Sequence, residues 1–388
     1  MKVLHVISSG GMYGAEAVIL NLSRALNRGS HRSMLAVFSN LSNPNHQLHE
    51  RAVEEGIDSH LIACKARIDR TAIASIRELA IGTGADIVHA HGYKADIYVY
   101  FALRGVRLPF VSTCHTWYDN DVSAVLYGAV DRFVLRRYAR VVAVSDEVKR
   151  RLLKAGVREK AIHLIRNGIE LRPFDDAVPS FREDLPLGST HIVGLIGRLA
   201  SEKGIDIFLR AAALVLIEFP RAQFVVVGDG PDRDELERLI VDLDIRESVS
   251  MLGHRDDMPS VYASLDVMVS SSRQEGLPMA ILEGMASRLP VVATAVGEVP
   301  TVVLDGRTGV LVPAEDVDLL AAGILELLRD PAKRTRLGVA ARQLIEEEYS
   351  AARMTADYLG VYSEAILAGK KAGERRVDSH TASQGNVR

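Results

Sequence analysis

Two cations stand five residues apart in the segment Gly197 to Gly204, directly after a short apolar run. Arg198 offers a planar fork of N–H donors and Lys203 a compact point charge, and proteins hold phosphate groups with both kinds of cation. Ligands of open α/β sheets lie beyond the carboxyl ends of the strands, so this position favours a clamp for a diphosphate. A solvated loop in which Glu202 forms an ion pair is the alternative that the segment leaves open.

Two glutamates follow another apolar run, at residues 267–270. Pro278 is typical of the first turn of a helix, so Glu275 is expected in the preceding loop and Glu283 within the helix. A carboxylate accepts two hydrogen bonds and can therefore bind a vicinal diol such as that of ribose. The neighbours of Glu283 are small enough to leave room for a nucleoside: Ala280, Gly284 and Ala286. Two unrelated surface glutamates are the alternative.

Two further segments follow apolar runs of the first half. The turn Gly10-Gly11-Met12-Tyr13-Gly14-Ala15-Glu16 opens a helix, and its glycines would let the backbone approach a phosphate, although an ordinary turn fits equally well. His115 follows the run 110–114, where a site residue is expected. His89, His91 and Cys114 are its neighbours in topology, but adjacent strand ends are poor evidence for a tetrahedral zinc site. A purely structural histidine stays open.

These residues need a scaffold, and the apolar pattern predicts alternating strands and helices. Strands are predicted at Val3–Ser8, Met34–Phe38, Ile87–Ala90, Phe110–Cys114, Val141–Val144, Ile162–Ile165, Ile192–Ile196, Phe224–Val227, Val249–Leu252, Val267–Ser270, Val291–Ala293 and Val310–Val312. Helices are predicted at Ala15–Ala25, Gln47–Glu55, Ala72–Ala80, Ile207–Ile217, Asp234–Leu243, Met279–Ser287, Leu319–Leu328 and Ala332–Glu348. Continuous apolar strands are typical of parallel sheets covered on both faces, so we predict two Rossmann-like, doubly wound α/β domains.

Composition shifts predict the domain boundaries. Residues 1–170 would form an N-terminal domain and residues 191–350 a C-terminal domain. The segment 171–190 between them carries three prolines and few aliphatic side chains, which suits a linker. A late helix is predicted over residues 351–367, and the polar tail 369–388 is predicted to be disordered.

The bulk composition is that of a folded soluble protein of 388 residues with 48% hydrophobic residues and a net charge of -3, which gives no sign of nucleic-acid binding. Cys64 and Cys114 form no pattern, so disulfides are not expected and a reducing compartment is favoured. The longest apolar stretch, at residues 211–217, is far shorter than the about 20 residues of a membrane-spanning helix. We therefore expect a cytoplasmic protein that could still touch a membrane surface.

Taken together, these residues resemble the retaining GT-B glycosyltransferases, specifically glycosyltransferase family four. The matching segments span nearly the whole chain: Gly10–Glu16, His89-Ala90-His91, Cys114-His115-Thr116, Val144-Ser145, Arg166-Asn167-Gly168-Ile169, Gly197-Arg198, Glu202-Lys203-Gly204, Gly228-Asp229-Gly230-Pro231, Leu252-Gly253 and the pair Glu275 and Glu283. The resemblance implies two Rossmann-like domains that face a central cleft. The N-terminal domain would bind the acceptor and the C-terminal domain the nucleotide sugar.

The same resemblance implies roles for individual residues. Arg198 and Lys203 would bind the donor diphosphate and support the leaving group. Glu275 would hold hydroxyls of the sugar and Glu283 those of the ribose, while His115 would lie beside the donor sugar. The other donor-binding positions would be Gly11, Gly14, Gly197, Gly228, Leu252, Gly253, His254, Gly276, Leu277, Pro278 and Met279. The late helix would cross back to the N-terminal domain.

The implied reaction moves a sugar from a UDP- or GDP-sugar to a glycan, lipid-linked or small-molecule acceptor, in the synthesis of a cell-surface polysaccharide or glycolipid. The resemblance also implies that the anomeric configuration is retained, by front-face attack without a covalent enzyme intermediate. Fixed cations can stabilise the negative charge that grows on the diphosphate, so neither a metal nor another cofactor is expected. Asp-x-Asp triplets at 119–121, 232–234 and 316–318 have no companion ligands and are interpreted as loop and capping acids.

Other functions compete with this one. A nucleotide-sugar epimerase can share the GT-B fold, and a catalytically silent sugar-nucleotide-binding protein would have lost the charged residues that are present here. A dinucleotide-dependent oxidoreductase is disfavoured, because no Gly-x-Gly-x-x-Gly motif follows the first strand.

Few sequence features indicate how the acceptor would bind. The loop 116–121 contains Trp117, and its aromatic face, like that of Tyr127, could stack on an acceptor sugar, lie against lipid or pack under the loop. Arg132, Arg136 and Arg140 fall on one helix face that could steer the N-terminal domain to anionic lipids, although an ordinary solvated helix fits as well.

Overall fold

The computed structural model describes residues 1–12, 14–41, 44–66, 68–115, 130–182 and 191–384, with side chains up to residue 369. The chain forms two compact units. The first consists of Met1–Gly168 together with Ala351–Arg388, and the second of Ile169–Ser350. The segment Ala351–Arg388 therefore belongs to the first unit, although it follows the second in sequence.

The first unit contains a parallel sheet of seven strands in the order β3-β2-β1-β4-β5-β6-β7. The strands are β1 (Lys2–Ile7), β2 (Arg32–Asn40), β3 (Asp58–Cys64), β4 (Ile87–His91), β5 (Phe110–Cys114), β6 (Arg140–Ala143) and β7 (Ile162–Leu164). Its helices are α1 (Gly14–Arg28), α2 (Gln47–Glu54), α3 (Arg70–Gly82), α4 (Tyr93–Leu103) and α5 (Asp146–Lys154), with further helical backbone at residues 130–135 and the last helix described below. The central strands are buried and largely apolar, as expected for a sheet covered on both faces, although they also contain buried histidines.

The second unit contains a parallel sheet of six strands in the order β10-β9-β8-β11-β12-β13. The strands are β8 (His191–Ile196), β9 (Ala222–Val227), β10 (Val249–Gly253), β11 (Val267–Ser270), β12 (Val291–Thr294) and β13 (Gly309–Val312). Its helices are α6 (Arg172–Asp175), α7 (Ile205–Glu218), α8 (Arg233–Asp242), α9 (Met258–Ala263), α10 (Met279–Ala286), α11 (Val317–Arg329) and α12 (Pro331–Glu348). The prediction of two doubly wound parallel-sheet domains is confirmed.

The strand order of each sheet reverses next to its first strand, between β1 and β4 in the first unit and between β8 and β11 in the second. Such a switch point leaves a crevice at the carboxyl ends of the strands, where ligands of this fold bind. The glycine-rich segment 10–16 follows β1, and the segment 197–204 follows β8. The strand order therefore places both segments where the sequence analysis expected a site.

Several parts of the fold differ from the expectations. The strand β3 was not predicted, because it lies at the sheet edge and its first three residues, Asp58, Ser59 and His60, are polar. Residues 171–182 of the expected linker pack on the second unit, where Phe181 is buried in the core. The last helix, α13 (Ala351–Gln384), continues well beyond residue 367 into the tail that was predicted to be disordered. That tail contains many good helix formers, including Ala372, Glu374 and Arg375.

None of the described helices combines the length and the apolar composition that crossing a bilayer would require.

Candidate active site

In the second unit, the turn that carries Lys203 lies directly against the loop that follows β11. A 3₁₀ turn, Ser201–Lys203, ends at Gly204, whose φ is +60°. A Cβ on Gly204 would lie only 2.1 Å from the carbonyl oxygen of Ser271, so only glycine allows this approach. The Ser271 hydroxyl donates a 2.7 Å hydrogen bond to the Gly204 carbonyl and joins the two loops.

The two charged groups of greatest interest meet across this junction. Lys203 Nζ donates to Glu275 Oε1, and the Ser272 hydroxyl donates to the same oxygen at 2.9 Å. The side chains keep 24% and 10% of their exposure, so the ion pair is largely shielded from water. Lys203 and Glu275 lie in separate sequence motifs, and the structure brings them into contact.

Arg273, which the sequence analysis missed, fixes the junction from its outer side. Its guanidinium donates to both carboxylate oxygens of Asp206, at 2.8 and 2.9 Å, and to the Ser201 carbonyl at 2.7 Å. Glu315 accepts further bonds, and these two carboxylates raise the pKa of Arg273 above its ordinary range. The only sequence signal was an arginine two residues before Glu275, which does not reveal these partners.

Arg198 has the opposite character, because its side chain is exposed. Within the described residues, its guanidinium has no hydrogen-bond or ion-pair partner, so all of its donors are open to a ligand. The two cations of the predicted diphosphate clamp thus differ in environment, with Arg198 exposed and Lys203 shielded.

The loop between Glu275 and α10 is held in place by a second missed residue, Gly297. Its φ is +53°, and a Cβ at this position would lie 1.7 Å from the Glu275 carbonyl oxygen. The Glu298 N–H donates to the Gly276 carbonyl at 3.2 Å. Gly276 is exposed with open space where its Cβ would be, so Gly297, not Gly276, is the glycine that sterics require.

The helix α10 begins without a side-chain cap. Its N-cap residue is Pro278, and its first turn contains no acidic residue. The first N–H groups of a helix carry a partial positive charge, which suits an anion. The partly buried segment Leu277 to Met279 therefore offers backbone donors beside Glu275.

Glu283 lies in α10, where the Tyr262 hydroxyl donates to Oε2 at 2.9 Å. Burial raises the pKa of the Glu283 carboxyl to about 7, although the Tyr262 hydrogen bond lowers it. Two of its small neighbours serve packing and not ligand space, which corrects our expectation. A Cβ on Gly284 would lie 2.3 Å from Met268 Sδ, and Ala286 is fully buried.

Several of the expected donor-binding positions lie at three adjacent strand ends, those of β8, β9 and β10. Gly228 has a φ of +137°, and a Cβ there would lie 2.0 Å from the Gly197 carbonyl oxygen. The Gly228 N–H donates to the Gly253 carbonyl at 2.8 Å. Leu252 is partly buried, while His254 is exposed and lies 3.3 Å from Asp256. The three glycines therefore form one close-packed surface, and His254 lies at its exposed end.

In the first unit, the glycine-rich turn is organised by Ser9. Its hydroxyl donates to the Gly11 carbonyl at 2.8 Å and contacts Glu16 Oε1 at 2.9 Å. Gly11 is buried, whereas Gly14 is exposed at the first position of α1. Tyr13 lies outside the described residues, as does the aromatic loop with Trp117 and Tyr127, together with the Asp119–Asp121 triplet.

His115 ends a group of four histidines at the carboxyl end of this sheet. His5, His89 and His91 are buried, and His115 is partly buried. Burial lowers the pKa of His5 to about 3 and of His115 to about 4, and it lowers the pKa of the other two well below the ordinary range. All four imidazoles are therefore neutral near pH 7.

The set of side chains at metal-ligand spacing differs from the one considered from sequence. Among the described residues, it comprises His5, His89 and His91, whose ligand atoms lie within 4.8 Å of one another. Both nitrogens of His89 already contact hydroxyl groups, Tyr362 at 2.8 Å and Thr113 at 2.7 Å.

The interpretation of Asp316 as a capping acid is confirmed, because its side chain accepts from the Leu319 N–H at the start of α11.

Comparison with known proteins gives matches to two family models, to curated relatives and to solved structures. The family described as "Glycosyltransferase Family 4" matches residues 12–172, and the family described as "Glycosyl transferases group 1" matches residues 190–330. The alpha-D-kanosaminyltransferase of Streptomyces kanamyceticus is 31% identical over 297 residues, which cover 71% of this chain and 77% of that protein.

A second curated relative is the GDP-mannose-dependent alpha-(1-6)-phosphatidylinositol monomannoside mannosyltransferase of Mycolicibacterium smegmatis, 32% identical over 61% of this chain and 60% of that protein. Among solved structures, Anabaena HepE in complex with UDP superposes with a TM-score of 0.81 at 22% identity and covers 94% of this chain and 100% of that one. A HepE complex with UDP-glucose gives a TM-score of 0.78. At this level of identity, the superpositions show a shared GT-B fold.

Proposed function

The chain belongs to glycosyltransferase family four, and on that premise we propose that it is a retaining, metal-independent transferase. It is a glycosyltransferase that acts on nucleotide sugars in glycan or glycolipid synthesis. The observation that carries the finer proposal is the shielded Lys203–Glu275 pair, whose two loops also carry the exposed Arg198 and lead into the uncapped helix α10.

Donor cleavage breaks the bond between the anomeric carbon and the diphosphate, and negative charge grows on the leaving group. Arg198 would bind the diphosphate through its open donors, and Lys203 would stabilise the developing charge from a fixed position. Such preorganised charges act most strongly where water is excluded. These two cations can take the part that a divalent metal plays elsewhere, so we propose transfer without one.

Glu275 would change partners when the donor binds. In the structure it accepts from Lys203 and Ser272. Both donors contact Oε1, so a diphosphate that attracts Lys203 would leave Ser272 on this oxygen and free one of its lone pairs to accept a hydroxyl of the sugar. The same glutamate thus holds the lysine in place before binding and orients the sugar afterwards.

Glu283 would bind the ribose diol, and the close-packed glycines 197, 228 and 253 would border the base. His115 of the first unit would contact the donor sugar, and Gly11 and Gly14 would border the pyrophosphate. UDP- or GDP-sugars are the proposed donors, since the relatives include a GDP-mannose-dependent enzyme and the neighbouring structures hold UDP or UDP-glucose.

We place the enzyme in the synthesis of a cell-surface polysaccharide or glycolipid, with a glycan, lipid-linked or small-molecule acceptor. It would act in the cytoplasm and could contact the inner face of the membrane through its first unit. The basic helix face expected there is not formed, because the helical backbone ends at residue 135 and Arg140 begins β6. Arg132 and Arg136 are exposed, but Arg136 donates to the Ala155 carbonyl and Arg140 pairs with Glu364. Sedimentation with anionic vesicles tests this contact.

The central test measures release of nucleoside diphosphate from UDP-, GDP-, ADP- and dTDP-sugars in the presence of EDTA. Slow hydrolysis of one donor, lost in Lys203→Ala, would support metal-independent transfer and identify the sugar. No hydrolysis of any donor, together with no binding of any nucleoside diphosphate, would contradict the proposal. With an acceptor in hand, NMR of the anomeric proton of the product distinguishes retention from inversion.

A further inference from the structure

Three histidines of the first unit form a continuous line of nitrogen contacts from the buried interior of the sheet to its carboxyl end. His5 Nδ1 lies 3.0 Å from His91 Nε2, and His91 Nδ1 lies 3.3 Å from His115 Nε2. Each contact requires one N–H and one lone pair, and a neutral imidazole has one of each. The tautomer of one ring therefore determines the tautomers of the other two.

The buried end of this line decides its direction. His5 Nε2 has no hydrogen-bond partner among the residues that the structure describes, and His5 is fully buried. A buried N–H without a partner is rarer in proteins than a buried acceptor without one. His5 Nε2 is therefore unprotonated, and its Nδ1–H donates to His91 Nε2. His91 must then donate from Nδ1 to His115 Nε2.

We propose that His91 is a positioning residue that holds His115 in the tautomer with its proton on Nδ1. The ring nitrogen that carries the proton is set by the hydrogen bond that the other nitrogen makes, and here Nε2 of His115 is engaged as an acceptor. The Nδ1–H of His115 is then the donor available to an oxygen of the donor sugar, a step that rests on the proposed function.

His89 supports this arrangement without taking part in it. Its ring centroid lies 4.0 Å from that of His91, but its own nitrogens contact the hydroxyls of Tyr362 and Thr113. His5, His89 and His91 are equally buried and neutral, so His89 provides a matched control for loss of a buried imidazole.

A metal ion is the competing interpretation of the same residues, because His5, His89 and His91 lie at ligand spacing. A bound ion would take lone pairs that the hydrogen bonds now use. The metal content of the purified protein is therefore part of the test, and a stoichiometric ion that resists EDTA would overturn the proposal.

The test observes the ring nitrogens of ¹⁵N-histidine-labelled full-length protein by two-bond ¹H–¹⁵N NMR, with His115 assigned from the His115→Gln variant. Wild type should show Nδ1–H at His115. His91→Phe should release the ring to a mixture with the Nε2–H form, whereas His89→Phe should leave it unchanged. An Nε2–H tautomer in wild type, or the same spectrum in all three proteins, would overturn the inference.

Kinetics then separate positioning from packing. His91→Phe should lower kcat about tenfold, as for loss of one hydrogen bond, without changing the affinity for nucleoside diphosphate. His91→Asn keeps an N–H near the position of Nδ1 and should restore both the tautomer and most of kcat, although it leaves a larger cavity. If Asn is worse than Phe, the role is packing and the inference is wrong. The NMR result needs no donor, so an inactive wild type with the expected tautomer would count against the proposed function alone.

Discussion

The two sites at the strand ends of this molecule differ in the charge of their side chains. In the second unit, the site contains full charges: exposed Arg198, and Lys203 paired with Glu275 and braced by Arg273. In the first unit, the corresponding position holds neutral imidazoles that contact one another and nearby hydroxyls. Both lie at the carboxyl ends of parallel strands, so the fold alone does not explain the difference.

The difference follows from the chemistry that each half is proposed to support. Charge grows on the diphosphate during transfer, and fixed cations stabilise it where it grows. A neutral group beside the sugar can accept or donate a hydrogen bond without attracting the diphosphate away from those cations. We therefore expect substitutions in the charged site to have a large effect on kcat and substitutions in the neutral site a smaller one.

The sharpest test of this division removes one charge from the second unit. Lys203→Ala should lower kcat by about 10²–10³, as for loss of one group that stabilises transition-state charge. Steady-state release of nucleoside diphosphate measures the effect, and Arg198→Ala should fall in the same range. Near-normal turnover in both variants would contradict the phosphate clamp.

Lys333 provides a matched control for that experiment. It belongs to the same unit and contacts Glu326 as Lys203 contacts Glu275, and the two lysines keep 19% and 24% of their exposure. Lys333→Ala removes an equivalent ion pair on the surface of α12 and should leave kcat unchanged. An equal loss in both lysine variants would mean that ion pairing, and not the site, accounts for the effect.

Gly297→Ala tests whether the charged site depends on exact placement of Glu275. A Cβ at Gly297 would lie 1.7 Å from the Glu275 carbonyl oxygen, so the loop must move. Misplacement by about 1 Å can cost about 10² in rate, and we expect a loss of kcat of that order. Pre-steady-state measurement of donor cleavage would show whether the chemical step is affected.

Gly306→Ala is the control for backbone strain. Gly306 also has a positive φ, +67°, but nothing lies within 4 Å of its added Cβ. This variant should lose some stability, as any alanine at such a φ does, and keep its activity. If both variants lose equal activity, strain in the unit is responsible and the contact with Glu275 is not.

Glu283→Ala should affect binding more than turnover. Removal of the carboxylate leaves the proposed ribose hydroxyls without an acceptor, which should weaken the affinity for nucleoside diphosphate about tenfold. Titration calorimetry measures it directly. Tyr262→Phe retains the carboxylate and removes only the hydroxyl that contacts it, so its effect should be smaller. Unchanged affinity in Glu283→Ala would count against the ribose role.

The sequence predicted the framework well because apolar parallel strands have a strong pattern. Phe110–Cys114 and Val267–Ser270 are the strands β5 and β11 within their predicted bounds. The edge strand β3 and the helix α4 were not predicted, since β3 begins with three polar residues and α4 is mostly apolar and has no polar face to give a period.

The site was harder to predict than the fold, because its contacts join residues far apart in sequence. Lys203 and Glu275 were identified as separate motifs, but their pairing depends on how closely Gly204 approaches Ser271. Gly297 and Arg273 act only through neighbours that packing brings to them. His5 lies inside the first strand, where an isolated polar residue gives no sign of the line of contacts that it begins.

The smallest expected effects give the cleanest contrast between the two units, because they have opposite signs. Burial lowers the pKa of His5 to about 3 from 6.5, so below pH 6.5 the unfolded chain binds a proton that the folded chain does not, and stability falls as the pH falls. Burial raises the pKa of Glu283 to about 7 from 4.5. Between those values the folded chain keeps a proton that the unfolded chain has lost, so stability falls as the pH rises.

Replacing each group by a neutral one of similar size should remove the pH dependence that this group contributes. Relative to wild type, His5→Phe should gain stability as the pH drops from 6.5, and Glu283→Gln should gain stability as the pH rises to about 7, each by at most about 1.4 kcal/mol per pH unit. Hydrogen exchange in peptides of β1 and α10, followed between pH 5 and 8, measures the stability of each unit separately. If the stability of both variants changed with pH in the same direction, the buried groups of the two sites would not differ in the way that their protonation depends on folding. Opposite trends would establish that each unit keeps a buried group uncharged at a cost in stability, which is expected where a site has been shaped for binding and not for folding.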